Sequence, residues 1–224
     1  MSYKKQGPQK NLSKKTYKDQ NIDQGFVDNE LGVNANPEEL RKTLKIKPLP
    51  EDVLDSYEKR LECPECLRMS GLFYCVECSK CLLDEKDLPK IDMGLTVQII
   101  KHLKEKSERS SAYPLIFLSE KFELYETKAD GSIPKSVEYS EGNDYVLYPH
   151  KDARLISELP EEELKNMKSI KIIDCTWGQA KSILRNIPMD KAKFIKLEDY
   201  ETTFWRHQLH NSKCLATVEA IYYM

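Results

Sequence analysis

The chain has 224 residues, 40% of them hydrophobic and 32% charged, which is enough for one sizeable core or for one domain with a small appendage. No apolar stretch approaches the length of a membrane span and no signal-peptide core follows the lysine-rich start, so the protein is expected inside the cell, in nucleus or cytoplasm. A formal net charge of −2 neither demands nor forbids a nucleic-acid partner; phosphate would have to meet local positive charge, and residues 170–214 offer it with eight Lys/Arg against five Asp/Glu, a net of +3.

Residues 1–35 are polar, with scattered lysines at Lys4, Lys5, Lys10, Lys14, Lys15 and Lys18, and read as a disordered basic tail. Asn36-Pro37-Glu38-Glu39 supplies an N-cap, a proline in the first turn and two acids, so a short helix should follow. A second helical stretch, 51–60, leads into the cysteines. Five of the chain's seven cysteines fall within residues 63–81. Cys63/Cys66 and Cys75/Cys78 are two C-x-x-C pairs, and two such knuckles complete a tetrahedral thiolate shell for zinc. Four thiolates leave no open position for a catalytic water, so the metal is expected to be structural. Cys81 repeats the spacing once more and can replace Cys78 as fourth ligand. Residues 36–90 therefore read as short helices and a zinc knuckle.

Beyond the knuckle, 94–102 reads as a strand, with His102 at its edge as an ordinary polar residue or part of a substrate site. Ser110-Ser111 can cap a short helix through Leu118, 122–127 is a further strand, and 129–132 is a turn around Asp130-Gly131. The pattern then becomes regular: strand 144–149, helix 152–164, strand 169–174, helix 176–185 and strand 192–197. This alternation predicts an α/β fold with a mostly parallel sheet. LATVEAIYYM opens a last helix that stops at Met224 without a cap, which reads as a shortened C-terminal end.

In IKIIDCTWGQAKSILRN, 170–186, a β-branched run ends at Asp174, and Thr176 and Trp177 open a helix. Ligands of α/β proteins bind at such carboxyl ends of strands. YPHKDA at 148–153 also follows a strand and precedes a helix, so both turns offer free N–H groups to a carboxylate or phosphate.

Asp174, Thr176 and Trp177 resemble the D-x-T-W signature of the DTW-domain family. FWRHQ at 204–208 with LATVEA at 215–220 resembles that family's R-x-x and S-T-x-E-A segments, with Ala216 where the family has serine. The paired cysteines, IIKH and S-S-A occur upstream in the same order, so the resemblance spans roughly residues 60–224. Within the family the chain resembles the eukaryotic tRNA-uridine aminocarboxypropyltransferases. That resemblance implies transfer of the 3-amino-3-carboxypropyl group of S-adenosylmethionine to N3 of a tRNA uridine, giving acp3U and methylthioadenosine. It also implies a DTW catalytic domain over 91–224, a knotted SPOUT-like fold and a homodimer.

On this resemblance Asp174 is either the base for uridine N3 or the anchor of the cofactor's ammonium group, although an aspartate there can also simply cap a helix. Thr176 donates a hydrogen bond. Trp177 stacks on adenine or an extruded uracil, or else packs in the core. Arg206 grips the cofactor's carboxylate or a tRNA phosphate, and Glu219 orients one of these cations. Asp152 binds a cofactor hydroxyl or caps its helix, and Pro149 and Thr217 complete the cofactor set. Two other readings stay open: a knotted RNA methyltransferase using the same cofactor, and a non-catalytic zinc-knuckle RNA-binding protein.

Overall fold

The β-branched runs fold as strands of one parallel sheet, with helices on both faces. The computed structural model describes residues 57–139, 144–202, 204 and 213–224, which fall within one unit running from Lys45 to Met224. In the cysteine-rich segment β1 (Tyr74–Cys75) and β2 (Lys80–Cys81) pair antiparallel. The sheet consists of β3 (Thr96–Lys101), β4 (Phe122–Glu126), β5 (Asp144–Leu147), β6 (Arg154–Leu155), β7 (Ser169–Asp174) and β8 (Ala192–Lys196). Its order is β4-β3-β7-β5-β8-β6, parallel at every pairing. Three α-helices are described: α1 (Glu161–Asn166), α2 (Trp177–Leu184) and α3 (Thr217–Tyr222).

β7 reads as a nearly continuous apolar run because both of its faces are covered. Ile170 and Ile172 pack with Val97, Ile99, Leu147 and Ile195 against Ile221 of α3 and the Ala112 and Leu115 side chains. On the opposite face Ile173 meets Ile100 and Ile183 of α2, while Val146 and Phe194 meet Ile187 and Leu184. The two helices thus cover opposite faces, yet both begin at the carboxyl edge of the sheet.

The chain after β3 turns toward β4 at one edge, whereas the chain after β5 and β7 runs toward β6 and β8 at the other. Connections that diverge in this way leave a crevice outside the strand ends. Asp174 lies there, in register with Lys101 of β3.

A charge interrupts the β7 run. Lys171 is fully buried and is paired with Asp144 of β5, its ammonium 4.5 Å from the centre of the Tyr139 ring. A turn on the α2 side is equally constrained: Gly131 has φ +86°, and a Cβ there would lie 2.5 Å from the backbone of Ser182. Only glycine meets both demands.

Several expectations change. The helix predicted over 152–164 is instead β6, a 3-10 turn at Ile156–Glu158, and α1. Arg154 and Leu155 are taken up as an edge strand against β8, and Pro160 precedes the helix. The helix capped by Ser110 is a 3-10 helix, Tyr113–Phe117, which does begin with the Tyr113 N–H on Ser110 Oγ at 3.0 Å. The helix expected to start at Asn36 lies outside the described residues. Of the stretch 51–60 only 57–60 are described, and these are not helical; the chain there is entering the knuckle, where Glu62 bridges to Met69. The basic tail, 1–35, also lies outside the described residues.

Removing one member of a buried ion pair strands the other. Asp144→Ala should therefore cost about 3–5 kcal/mol in denaturant unfolding, and the double replacement Asp144→Leu with Lys171→Met should recover most of it.

Candidate active site and metal centre

The carboxyl ends of β5, β7 and β8, the loop after β3 and the start of α3 enclose a cavity of about 960 Å³. Asp174 forms part of its wall with 4% of its surface exposed. A carboxylate buried to that degree needs hydrogen-bond donors. Ser110 Oγ donates to its Oδ2 at 2.6 Å and Thr217 Oγ1 to its Oδ1 at 2.7 Å. These partners are 64 residues before it and 43 residues after it in the chain. Next to Ser110, Ser111 Oγ accepts the Val218 N–H of α3 at 3.2 Å. The serine doublet therefore braces both the carboxylate and the last helix.

The loop that carries the doublet is itself tied down. Buried Lys101 donates to the Glu105 carbonyl at 2.8 Å and pairs with Glu126 at 2.5 Å. His102, also buried, accepts the Lys104 N–H on Nδ1 at 3.1 Å and donates its backbone N–H to the Asp174 carbonyl at 3.1 Å. Burial, with Lys104 and Lys101 nearby, keeps this imidazole below its ordinary pKa.

Thr176 and Trp177 both line the cavity. Thr176 is the N-cap of α2, its own N–H reaching Gln179 Oε1 at 3.0 Å. Trp177 is 42% exposed, its ring centre 6.1 Å from that of Tyr148. It is not a core tryptophan; it presents an aromatic face at the cavity rim. Pro149 and Thr217 line the same space.

Other expected residues stand elsewhere. Asp152 is exposed beside His150 and Lys151 and is not among the lining residues. Glu219 turns back on its own helix, where Oε2 accepts the Ala216 N–H and the Thr202 hydroxyl, both at 2.7 Å. It caps α3 and fastens the segment after β8. Arg206 lies outside the described residues.

The cavity also contains residues that pattern reading passed over. Ser110 was legible as a cap but not as a partner of Asp174, because nothing local links positions so far apart. Tyr148, Lys196 and Glu198 are lining residues at strand ends, where position alone was the signal. Cys175 lines the cavity as well, and burial, then the Asp174 and Glu105 charges, push its thiol up to about 12.

The sulfurs of Cys63, Cys66, Cys75 and Cys78 all lie within 4.8 Å of one another. A tetrahedral zinc shell with bonds of about 2.3 Å sets sulfurs about 3.8 Å apart, and Cys66 and Cys75 are separated by 3.8 Å. Each knuckle bends through a left-handed residue just after its second cysteine, Leu67 at φ 56° and Ser79 at φ 48°. Within the cluster the Cys66 N–H lowers the Cys63 pKa, whereas burial and the neighbouring thiols raise that of Cys78. The donor set thus fits zinc. Cys81 is turned away, its Sγ directed at the Phe73 carbonyl at 3.6 Å, so Cys78 is the fourth member of the cluster.

A parallel α/β sheet with a cavity of mixed polar and apolar lining at its carboxyl edge, and a four-cysteine cluster that could hold a metal ion, defines an α/β protein with a candidate site at its strand ends. Residues 60–224 match the DTW domain, and the chain belongs to that family. It is 25% identical over 220 residues to tRNA-uridine aminocarboxypropyltransferase 1 of Xenopus laevis, over 77% of this chain and 73% of that protein. Among solved structures it is similar to the SAM-dependent rRNA:acp-transferase Tsr3 from Vulcanisaeta distributa, with a TM-score of 0.44 and 18% identity over 58% of this chain and 63% of that one. The chain thus spans less than two thirds of the latter protein.

Two outcomes follow from this geometry. Replacing Cys63, Cys66, Cys75 or Cys78 by Ser should abolish stoichiometric zinc, measured by metal analysis of the purified protein, while Cys81→Ser should retain it. A thiol raised to about 12 is almost wholly protonated at pH 8. Cys175 in the folded protein should therefore resist iodoacetamide at that pH, with labelling that increases only as pH approaches that value, as peptide mass spectrometry would report.

Proposed function

We infer that this protein transfers the 3-amino-3-carboxypropyl group of S-adenosylmethionine to N3 of a uridine in tRNA. The observation that carries the reading is the buried Asp174 carboxylate, held by two hydroxyls in the wall of the cavity within the DTW segment. S-adenosylmethionine supplies a carbon made electrophilic by its sulfonium: N3 bonds to it, the carbon–sulfur bond breaks with its electrons going to sulfur, methylthioadenosine departs and the N3 proton passes to solvent.

The residues divide the remaining work. Asp174, with a hydroxyl on each oxygen, is held in one orientation in the cavity wall and suits the anchoring of a cationic ammonium group. Its remaining lone pairs are available to the cavity. Thr217 and Ser110 fix its orientation. Trp177, exposed at the rim beside Tyr148, offers a stacking face for an unstacked base. Cys175 stays a neutral thiol and so does not compete as a nucleophile for an alkylating sulfonium. Pro149 contributes to the cofactor wall.

The knotted path of related enzymes is part of the same proposal. Its support is the docking of α3, the last helix described, between the loops after β3 and β7. So is pairing of two copies, which the mass of the protein in solution would report.

Protein incubated with tRNA and S-adenosylmethionine should release methylthioadenosine and leave acp3U in the tRNA; release of S-adenosylhomocysteine instead would sink the reading in favour of methyl transfer. Asp174→Asn separates anchor from base. As an anchor its loss weakens S-adenosylmethionine binding about ten- to hundredfold, in proportion to a lost charged hydrogen bond, and leaves methylthioadenosine binding unchanged. As a base its loss lowers kcat with both affinities intact.

A further inference from the structure

Tyr113 stands between the metal centre and Asp174. Its ring is buried beside those of Tyr74 and Phe117, with centres 5.4 and 6.0 Å away. Its hydroxyl donates to the Val76 carbonyl at 3.3 Å, and the Ser79 hydroxyl donates to it at 3.0 Å. Val76 and Ser79 belong to the second knuckle, each directly after one of its cysteines. At its other end Tyr113 donates its backbone N–H to Ser110 Oγ at 3.0 Å, and Ser110 donates its O–H to Asp174 Oδ2 at 2.6 Å. A serine hydroxyl rotates to suit its partners, and a donor on its lone pair further restricts where its own O–H can point. The Tyr113 N–H is that donor, so the knuckle reaches the carboxylate through one rigid residue.

We propose that Tyr113 is a positioning residue that couples the four-cysteine centre to the cavity. With the knuckle closed, Val76 and Ser79 hold the Tyr113 hydroxyl. The tyrosine backbone then holds Ser110, and Ser110 orients Asp174. With the knuckle open, the buried hydroxyl loses both partners and the start of the 3-10 helix loosens. The metal is thus more than a local staple. Because coupling is reciprocal, whatever orders Ser110 and Asp174 also makes the knuckle harder to open.

Hydrogen exchange on the full chain tests this without any ligand. Stripping zinc from the unsubstituted protein with a chelator should speed exchange in peptides covering 107–115 and leave those of β7 and β8 unchanged. Zinc-loaded Tyr113→Phe, which keeps the ring, should already exchange faster over 107–115 and change little further on stripping. Ser79→Ala, at an exposed position, should move the same peptides in the same direction by less. Unchanged protection over 107–115 in zinc-loaded Tyr113→Phe, or a response to stripping as large as that of the unsubstituted chain, would overturn the proposal. Were stripping to unfold the whole sheet, exchange would also rise in β7 and β8, and the zinc-loaded comparison would decide alone.

A second arm measures affinity for S-adenosylhomocysteine, and only this arm rests on the proposed function. Tyr113→Phe should weaken binding about three- to tenfold, the scale of one hydrogen bond, and Ser110→Ala should add little to that loss. Additive losses would show two independent structural effects and count against coupling. An unsubstituted protein that binds no S-adenosylhomocysteine would defeat the functional reading, while the exchange arm would still judge the coupling.

Discussion

One buried carboxylate organises this protein. Asp174 ends the central run of β7, and taking its charge out of water is tolerable only because Ser110 and Thr217 supply hydroxyl donors to both oxygens. Those donors come from the loop after β3 and from the first turn of α3, so the carboxylate is satisfied only when both segments have arrived. Closing the fold and assembling the cavity are therefore the same event. The rest of the architecture serves this meeting: parallel strands bring their carboxyl ends together, and helices on opposite faces begin at one edge.

A second constraint acts from outside the sheet. The knuckle offers little apolar area of its own, with Leu67 and Met69 largely exposed, and segments of that kind depend on a metal for their shape. Its contact with the sheet domain runs through aromatic residues, Tyr74 against Tyr113 and Phe117, as well as through hydroxyl bonds. The four-cysteine cluster and the cavity thereby flank the same segment, the one that also carries the serine doublet.

Legibility in the chain followed the range of the interactions. The switch from β-branched run to helical spacing at Asp174 was visible because the period is local, and β7 and α2 formed as expected, although Thr176 and not Asp174 is the cap. The stretch 152–164 was misread as one helix: its charged and aliphatic residues carry a helical spacing, but edge pairing with β8 took Arg154 and Leu155 into a strand. Glu219 looked like a partner for a distant cation because its spacing from Ala216 said nothing of the close N–H it would accept. The choice between Cys78 and Cys81 could not be made from a repeated spacing, since it depends on which way a two-residue strand faces.

The sequence by itself determined the thiolate-rich knuckle, the α/β alternation, and a carboxylate, a hydroxyl and an indole at one strand end, because knuckles, strands and caps are written in contacts a few residues apart. Tertiary structure alone decided what Asp174 bonds to, that Trp177 lines a cavity instead of the core, and that Tyr113 bonds to the cysteine knuckle at one end and to Ser110 at the other. Those outcomes depend on segments 34 to 64 residues apart meeting at the edge of the sheet, and only the packing of the whole sheet sets such distances.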